Sequence, residues 1–195
     1  MRLFVAIDLT EEIRERIVEY IASVVREVPG AAAEKWVRAE SLHLTLKFIG
    51  QSERVDDIKE ALRQVQSASF QISIGNVGFF TPQKPRIFWA GVEAPSELQG
   101  LATAIDAALG PCGVPREQES YHPHITLARA GSGRPHGAKG GSRGFLPAIK
   151  NAIEANGALA NPHFGTMMPR EFFLFRSETL PEGARYTKLD RFPLR

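Results

Sequence analysis

Apolar and polar residues follow two periods along this chain, and the switches between them mark its elements. Leu3 to Leu9 is apolar except for Asp8 and reads as a buried strand. Thr10 is placed to cap a helix, and Glu11 and Glu12 suit its positive first turn. Ile13, Ile17, Tyr20, Ile21, Val24 and Val28 then recur at helical spacing until Pro29-Gly30 stops the element. Trp36-Val37-Arg38 is a short extended piece before a strand running from His43 to Gly50. Ser52 is expected to cap a second helix with the stripe Val55, Ile58, Leu62 and Val65. Phe70 to Phe80 alternates at first and then breaks at Gly75 and Gly78, as a strand with a bulge does.

After a turn over Thr81 to Pro85 the same order begins again. Ile87 to Val92 is a buried strand, and Ser96 with Gln99 predicts a capping box for a helix carrying Leu98, Leu101, Ile105 and Leu109. Tyr121 to Ala128 is a strand, Phe145 to Ala155 a short helix, and Phe172 to Phe175 a last buried strand before a closing segment, Tyr186 to Leu194. Strand, helix, strand, helix, strand thus occurs twice. The reading is one domain over 1–195 with pseudo-repeat lobes of about 2–80 and 86–176, too few copies for an open solenoid.

The corresponding middle strands carry the chain's most unusual pattern. In His43-Leu44-Thr45-Leu46-Lys47-Phe48 the period of two sets His43, Thr45 and Lys47 on one face and Leu44, Leu46 and Phe48 on the other. His124-Ile125-Thr126-Leu127-Ala128 repeats the grammar 81 positions later. A single strand histidine is more often structural than catalytic, and threonine is simply a good strand former. Two matching copies in equivalent slots of a duplicated plan favour a shared site, with His43 and Thr45 meeting His124 and Thr126 over one cleft.

Composition adds limits more than direction. Hydrophobic residues make up 43% and charged residues 24%, with a formal net charge of +2, which permits an anionic partner without demanding one. Cys112 is the only cysteine, so no intrachain disulfide or cysteine-based metal site forms, and a reducing compartment fits. Neither a signal h-region nor a run of roughly 20 apolar residues is present, which makes a soluble cytoplasmic protein the expectation.

An imidazole has an ordinary pKa of about 6.5, so one histidine of a pair can act as acid and the other as base near neutrality. Two threonine hydroxyls beside them describe a seat for a tetrahedral oxyanion, phosphate above all, and Lys47, Arg38 and Arg129 supply the matching charge. His122-Pro123-His124 raises a metal reading, but no acid sits within either motif strand and threonine is a poor ligand.

At these residues the chain resembles the 2H phosphoesterases, and within them the bacterial RNA 2′,3′-cyclic phosphodiesterases or LigT-like 2′-5′ RNA ligases. The resemblance rests on Arg2 to Leu9, on Trp36-Val37-Arg38 before His43 to Gly50, on Pro123 to Arg129, and on Leu174 to Ser177 with Tyr186 and Arg191 to Leu194. It implies an α+β fold of two lobes, with mostly antiparallel sheets flanked by helices around a central cleft. It implies hydrolysis of RNA 2′,3′-cyclic phosphate ends to 2′-phosphates, without metal or other cofactor. His43 would then be the proton donor and His124 the proton acceptor, with Thr45 and Thr126 binding the phosphate. Arg129 is a family-like phosphate contact, although strand parity sets it with Ile125 and Leu127. Parity likewise makes Phe48 a core residue more than a base-stacking one. The implied partner is RNA with a cyclic phosphate terminus, such as tRNA fragments or oligonucleotides, met by a monomer with no membrane. The alternatives are 2′-5′ RNA joining, opening of a small cyclic nucleotide such as ADP-ribose 1″,2″-cyclic phosphate, and a module that binds RNA ends without turnover. Ala130 to Gly144, with six glycines and Arg134, His136, Lys139 and Arg143, reads as a surface loop, with a basic flap along RNA as the sharper reading.

Overall fold

The opening apolar run forms β1 (Arg2–Asp8), in which Leu3 to Ile7 are buried. Residues buried on both faces of a strand require neighbours on both edges and cover above and below. β1 obtains its neighbours from β3 (His43–Gln51) on one edge and β8 (Glu171–Leu180) on the other, both antiparallel. The computed structural model describes residues 1–93, 95–130, 146–180 and 183–195. Arg134, His136, Lys139 and Arg143 of the glycine-rich stretch lie outside the described residues.

The remaining strands are β2 (Lys35–Trp36), β4 (Ile72–Phe80), β5 (Ile87–Glu93), β6 (His124–Arg129), β7 (His163–Met167) and β9 (Gly183–Pro193). Among the described residues these make one nine-stranded antiparallel sheet in the order β7-β4-β5-β6-β3-β1-β8-β9, with β2 paired to β6. Helices α1 (Glu11–Glu27), α2 (Val55–Arg63), α3 (Ser96–Leu109), α4 (Leu146–Ala155) and the single turn α5 (Gly157–Ala160) accompany it. Their apolar stripes, including Ile13, Ile17, Ile58, Leu62, Leu98, Ile105 and Ile149, share one core with Leu3, Val5, Leu44, Phe88 and Ile125 from the strands. Each fully buried side chain of this size contributes about 1.5–3 kcal/mol of transfer free energy, so the stripes dictate which face the helices cover. The fold is α+β with helices flanking a curled antiparallel sheet, as the resemblance implies.

The two sequence copies do not stay apart in space. β4 ends the first copy but pairs with β5 and β7, in the half that carries His124. β8 ends the second copy but pairs with β1, in the half that carries His43. The halves exchange their last strands, and β3 joins β6 at a single register pair, Leu44 with Ile125.

Several local expectations are corrected. Ser52 does not cap α2: Arg54 is the cap, and the Ser52 hydroxyl accepts from the Arg54 amide at 3.2 Å. Ser96 is the first residue of α3 and not its cap, which is Pro95, so no capping box forms. Thr10 does precede α1 in extended geometry but makes no side-chain capping bond. The bulge expected near Gly75 falls between Gly75 and Val77, where Asn76 takes φ 55°. Gly78 has a separate purpose, because a Cβ there would lie 2.4 Å from the indole of Trp89. β7 and α5 have no counterpart in the sequence reading; the carbonyl of Pro162, just before β7, accepts the Asn76 amide at 2.7 Å.

Lys47 ties the halves together below the seam. Its ammonium is buried, 2.6 Å from Asp106 of α3, 3.3 Å from Glu117 and 2.8 Å from the Pro115 carbonyl. Replacing Lys47 by Ala removes the cation and leaves a partly buried carboxylate behind, an arrangement that costs about 3–5 kcal/mol. Urea unfolding of Lys47→Ala is expected to show a lower midpoint with an unchanged slope; an unchanged midpoint would contradict the anchoring role.

Candidate active site

The motif strands lie side by side and antiparallel. Carrying the register of Leu44 and Ile125 one residue each way sets His43 opposite Thr126 and Thr45 opposite His124. Each imidazole therefore stands beside the hydroxyl of the other motif, and the four predicted residues occupy one patch of the sheet face. A duplicated strand pair with a two-fold relation produces this crossing with no further instruction.

Both rings are oriented in the same way. The Nδ1 of His43 lies 2.7 Å from the Ser41 carbonyl, and that of His124 lies 2.8 Å from the His122 carbonyl. A carbonyl only accepts, so each Nδ1 carries a proton and donates it, leaving each neutral Nε2 as a bare acceptor. The segment bearing Ser41 is itself held by the buried guanidinium of Arg14, which donates to the carbonyls of Ala39, Leu42 and Leu9. Arg14 also pairs with Asp8 at 2.6 Å, and Asp8 is the β1 register partner of His43. On the other side the Tyr121 hydroxyl donates to the Thr45 carbonyl at 2.8 Å.

Aromatic rings floor both histidines. His43 has Phe4 at 4.8 Å and Tyr186 edge-on at 5.2 Å, with Phe4 stacked on Phe175. His124 has Phe80 edge-on at 4.7 Å, and Phe80 in turn leans on Trp89. On the His43 side, Phe4, Ala6, Phe173 and Phe175 form a second, smaller core on the sheet face opposite the helices.

Strand parity fails at the same place in both motifs. The pairing of β3 with β1 skips a residue, since Ala6 faces Thr45 but Val5 faces Lys47. Leu46 and Lys47 are consequently both buried, and Phe48 changes face before a second slip, between Phe48 and Gly50, resets the alternation. Phe48, expected in the core, is 57% exposed and shares the face of His43; its ring lies 6.3 Å from Phe4. Lys47, expected beside the histidines, is turned to the helices and consumed by Asp106 and Glu117. Between β6 and β5 the same slip occurs, with Trp89 facing Thr126 but Phe88 facing Ala128. Leu127 and Ala128 are both buried, so Arg129 emerges on the face of His124 and Thr126 instead of with Ile125 and Leu127. The two motifs thus share one longer grammar, histidine, threonine two on, and a cleft-facing residue five on, which is Phe48 in one and Arg129 in the other. Arg38, expected to lend charge, lies 4.0 Å from Glu40.

Burial chiefly, with the Arg129 charge adding to it, pushes His43 down to about 4 against a smaller upward pull from the Ser41 carbonyl. Burial and Arg129 also lower His124. One guanidinium is therefore felt by both rings, which an anion seated among them would relieve. Asp8 is raised by burial, but Lys188 and Arg14 outweigh this and hold it below the ordinary carboxylate value.

Cavities open on both flanks. One of about 650 Å³ lies against His43, Tyr186, Lys188 and Asp8. The other, about 600 Å³, is lined by Thr45, Phe48, Phe80, Thr103 and His124. Among the described residues no three His, Cys, Asp or Glu side chains gather as a cation site, and His122 serves His124 through its carbonyl. Arg14, Asp8 and Tyr121 escaped the sequence reading. For Arg14 a signal existed, because it falls on the helical face of Ile17 and Ile21, where a charge has no reason to sit unless it is bound.

A family model for the 2′-5′ RNA ligase superfamily matches residues 9–139. The chain is 32% identical over 195 residues to an RNA 2′,3′-cyclic phosphodiesterase of Archaeoglobus fulgidus, covering 98% of this chain and 99% of the relative. It is also 32% identical over 202 residues to one of Methanothermobacter thermautotrophicus, covering 100% and 99%. Among solved structures it is similar to a protein of Thermus thermophilus, with TM-score 0.76, 29% identity and coverage of 100% and 98%. It is similar as well to Escherichia coli LigT solved with 3′-AMP, with TM-score 0.74, 27% identity and coverage of 99% and 97%. The same LigT solved with phosphate gives TM-score 0.70, 27% identity, and coverage of 99% and 96%.

The buried, neutral imidazole of His43 has a signature in stability. Its folded value lies below its unfolded one, so its contribution is complete above about 6.5 and is lost as pH falls toward about 4. NMR titration is expected to place the His43 midpoint near 4 and that of His124 below the ordinary value. His43→Gln is expected to flatten the acid-side loss of stability over that window. A His43 midpoint at or above about 6.5 would overturn the desolvated environment.

Proposed function

The chain belongs to the LigT-like RNA 2′,3′-cyclic phosphodiesterases, hydrolases of the 2H phosphoesterase superfamily that act on phosphodiester bonds, and from that membership we propose a role for each residue of the site. The cyclic phosphate of an RNA 3′ end sits between the two histidines, its free oxygens accepting hydrogen bonds from Thr45 and Thr126 and facing Arg129. Nε2 of His124 takes a proton from water as the water oxygen bonds to phosphorus. Nε2 of His43 gives a proton to O3′ as the P–O3′ bond breaks. The products are a 2′-phosphate and a free 3′-hydroxyl. The observation that carries this reading is the crossed register, which sets each histidine opposite the threonine of the other motif, with each Nδ1 turned to a backbone carbonyl so that Nε2 is left for the acid and base steps that displacement at phosphorus requires.

His43 must be protonated to act, and in the free protein it is held largely neutral at neutral pH. An anionic phosphate in the seat opposes desolvation and Arg129, and favours the imidazolium. Phe48 offers an open aromatic surface on the Thr45 side for the sugar and base. The complexes of E. coli LigT with phosphate and with 3′-AMP support a phosphate seat beside a nucleoside-sized space. Cavities on both flanks favour one further reading, in which the 5′-hydroxyl of a second RNA replaces water and the same groups form a 2′-5′ bond.

Purified protein is to be incubated with an oligoribonucleotide ending in a 2′,3′-cyclic phosphate, with excess chelator, and the product phosphate located. A 2′-phosphate is expected, and His43→Ala or His124→Ala is expected to slow its formation by about 10²–10⁴-fold. A 3′-phosphate product, or comparable rates in either variant, would refute the assignment. Because both imidazoles are lowered, kcat/KM is expected to peak on the acid side of about pH 6.5 and to decline above it as the acid loses its proton. A maximum above about pH 7.5 would contradict that environment. Adding an RNA with a 5′-hydroxyl tests the joining direction through a 2′-5′ linked product.

A further inference from the structure

The motif strands share a single register pair, so the strand ladder alone does not fix the ring of His124 against the other half of the site. The ring takes its orientation from the His122 carbonyl, 2.8 Å from Nδ1, and His122 lies in the stretch from Val114 to Pro123, which is neither helix nor strand. A carbonyl in such a stretch holds its direction only if the backbone on either side is anchored. Downstream, Ile125 is in the sheet. Upstream, the residue adjoining His122 is Tyr121, and its hydroxyl donates at 2.8 Å to the carbonyl of Thr45 on β3. That carbonyl belongs to the threonine that stands opposite His124 in the crossed register.

The other half is built to the same plan with different chemistry. His43 is oriented by the Ser41 carbonyl, and Arg14 anchors the backbone on both sides of Ser41 through the Ala39 and Leu42 carbonyls. Each catalytic ring of the proposed reaction thus has an orienting carbonyl, and each such carbonyl has a long-range side-chain anchor beside it. Arg14 holds Asp8 as well, so removing it disturbs more than orientation, whereas Tyr121→Phe deletes one hydroxyl. The far end of the 114–123 stretch has its own anchor in Lys47, bound to the Pro115 carbonyl, and in Asp106, which accepts the Glu117 amide at 3.1 Å. Loss of the Tyr121 hydroxyl therefore loosens the stretch at His122 without releasing it from α3.

We infer that Tyr121 is a positioning residue for His124, its hydroxyl locking the His122 carbonyl, and through it the imidazole, against the Thr45 strand. The phenol is pushed by burial above its ordinary value, so it remains a donor throughout the working range of the site.

The kinetic part of the test rests on the function proposed above; the spectroscopic part does not. In the intact protein, Tyr121→Phe is expected to lower kcat on the cyclic-phosphate oligoribonucleotide by on the order of 10-fold, with KM within about twofold, because misplacement of the base harms the transition state more than binding. Tyr121→4-aminophenylalanine, which restores an N–H donor at the same position, is expected to recover most of the loss. By NMR, the Nδ1 proton of His124 is expected to exchange about 3–10-fold faster in Tyr121→Phe, the range one neutral hydrogen bond commands. The Nδ1 proton of His43, held from the Arg14 side, is expected to exchange as in wild type. Unaltered exchange at His124, equal acceleration at both rings, or a rise in KM at constant kcat would overturn the inference. A wild-type protein with no turnover would defeat the functional proposal alone, since the exchange measurement needs no substrate.

Discussion

One register pair, Leu44 with Ile125, holds together everything this protein brings to its site. Among the described residues it is the only register pair between the strand that carries His43 and the strand that carries His124. Because antiparallel pairing is symmetric, that one pair sets both diagonals at once, each histidine beside the other threonine. Its brevity has a cost, since one ladder step resists neither twisting nor sliding. The side chains that straddle the seam, Lys47 on the helix side and Tyr121 on the motif side, compensate for what the ladder lacks.

The chemistry of the site follows from what surrounds the rings more than from the rings themselves. Two imidazoles on a solvated strand would titrate alike near the ordinary value. Here aromatic floors remove water, and Arg129 discourages a second positive charge on either ring. The free protein is thereby prepared for an anion. Each Nδ1 is tied to a backbone carbonyl, and the charge of Arg129 reaches both rings. Which ring acts as acid is not a property of the motifs, which are nearly identical. The asymmetry lies around them, in Asp8, Arg14 and Tyr186 on one side and Phe80 and His122 on the other.

The four motif residues were legible in the sequence because each pair lies on the near side of its bulge, where the period of two still holds. Beyond Thr45 and Thr126 the same reading turned Phe48, Lys47 and Arg129 to the wrong faces. A bulge adds one residue without changing composition, and Leu46-Lys47 does not differ in kind from any other strand dipeptide. What could have warned of it is the repeat: a lysine in one copy and an alanine in the other at the same position imply that this position does not require a polar residue. The strand exchange was illegible for another reason. Which sheet edge accepts Ile72–Phe80 or Glu171–Leu180 is decided by edges formed far away in sequence, and no local pattern encodes it. The caps at Ser52 and Ser96 failed more simply, since a hydroxyl residue near a helix start can bond elsewhere without penalty.

The exchange of last strands has a consequence for the order in which the protein can acquire activity. The half that carries His43 needs Phe175 and Tyr186 beside its ring, and these come from β8 and β9, which follow the other strands in the chain. The half that carries His124 takes most of its strands from the middle of the chain. During synthesis the half that carries His124, the proposed base, can therefore assemble while the proposed acid side waits with β1 unpaired along one edge. β1 is apolar from Leu3 to Ile7, so the nascent chain carries a sticky edge exposed through most of its own synthesis. Turnover and protection from aggregation arrive together, once β8 and β9 have left the ribosome.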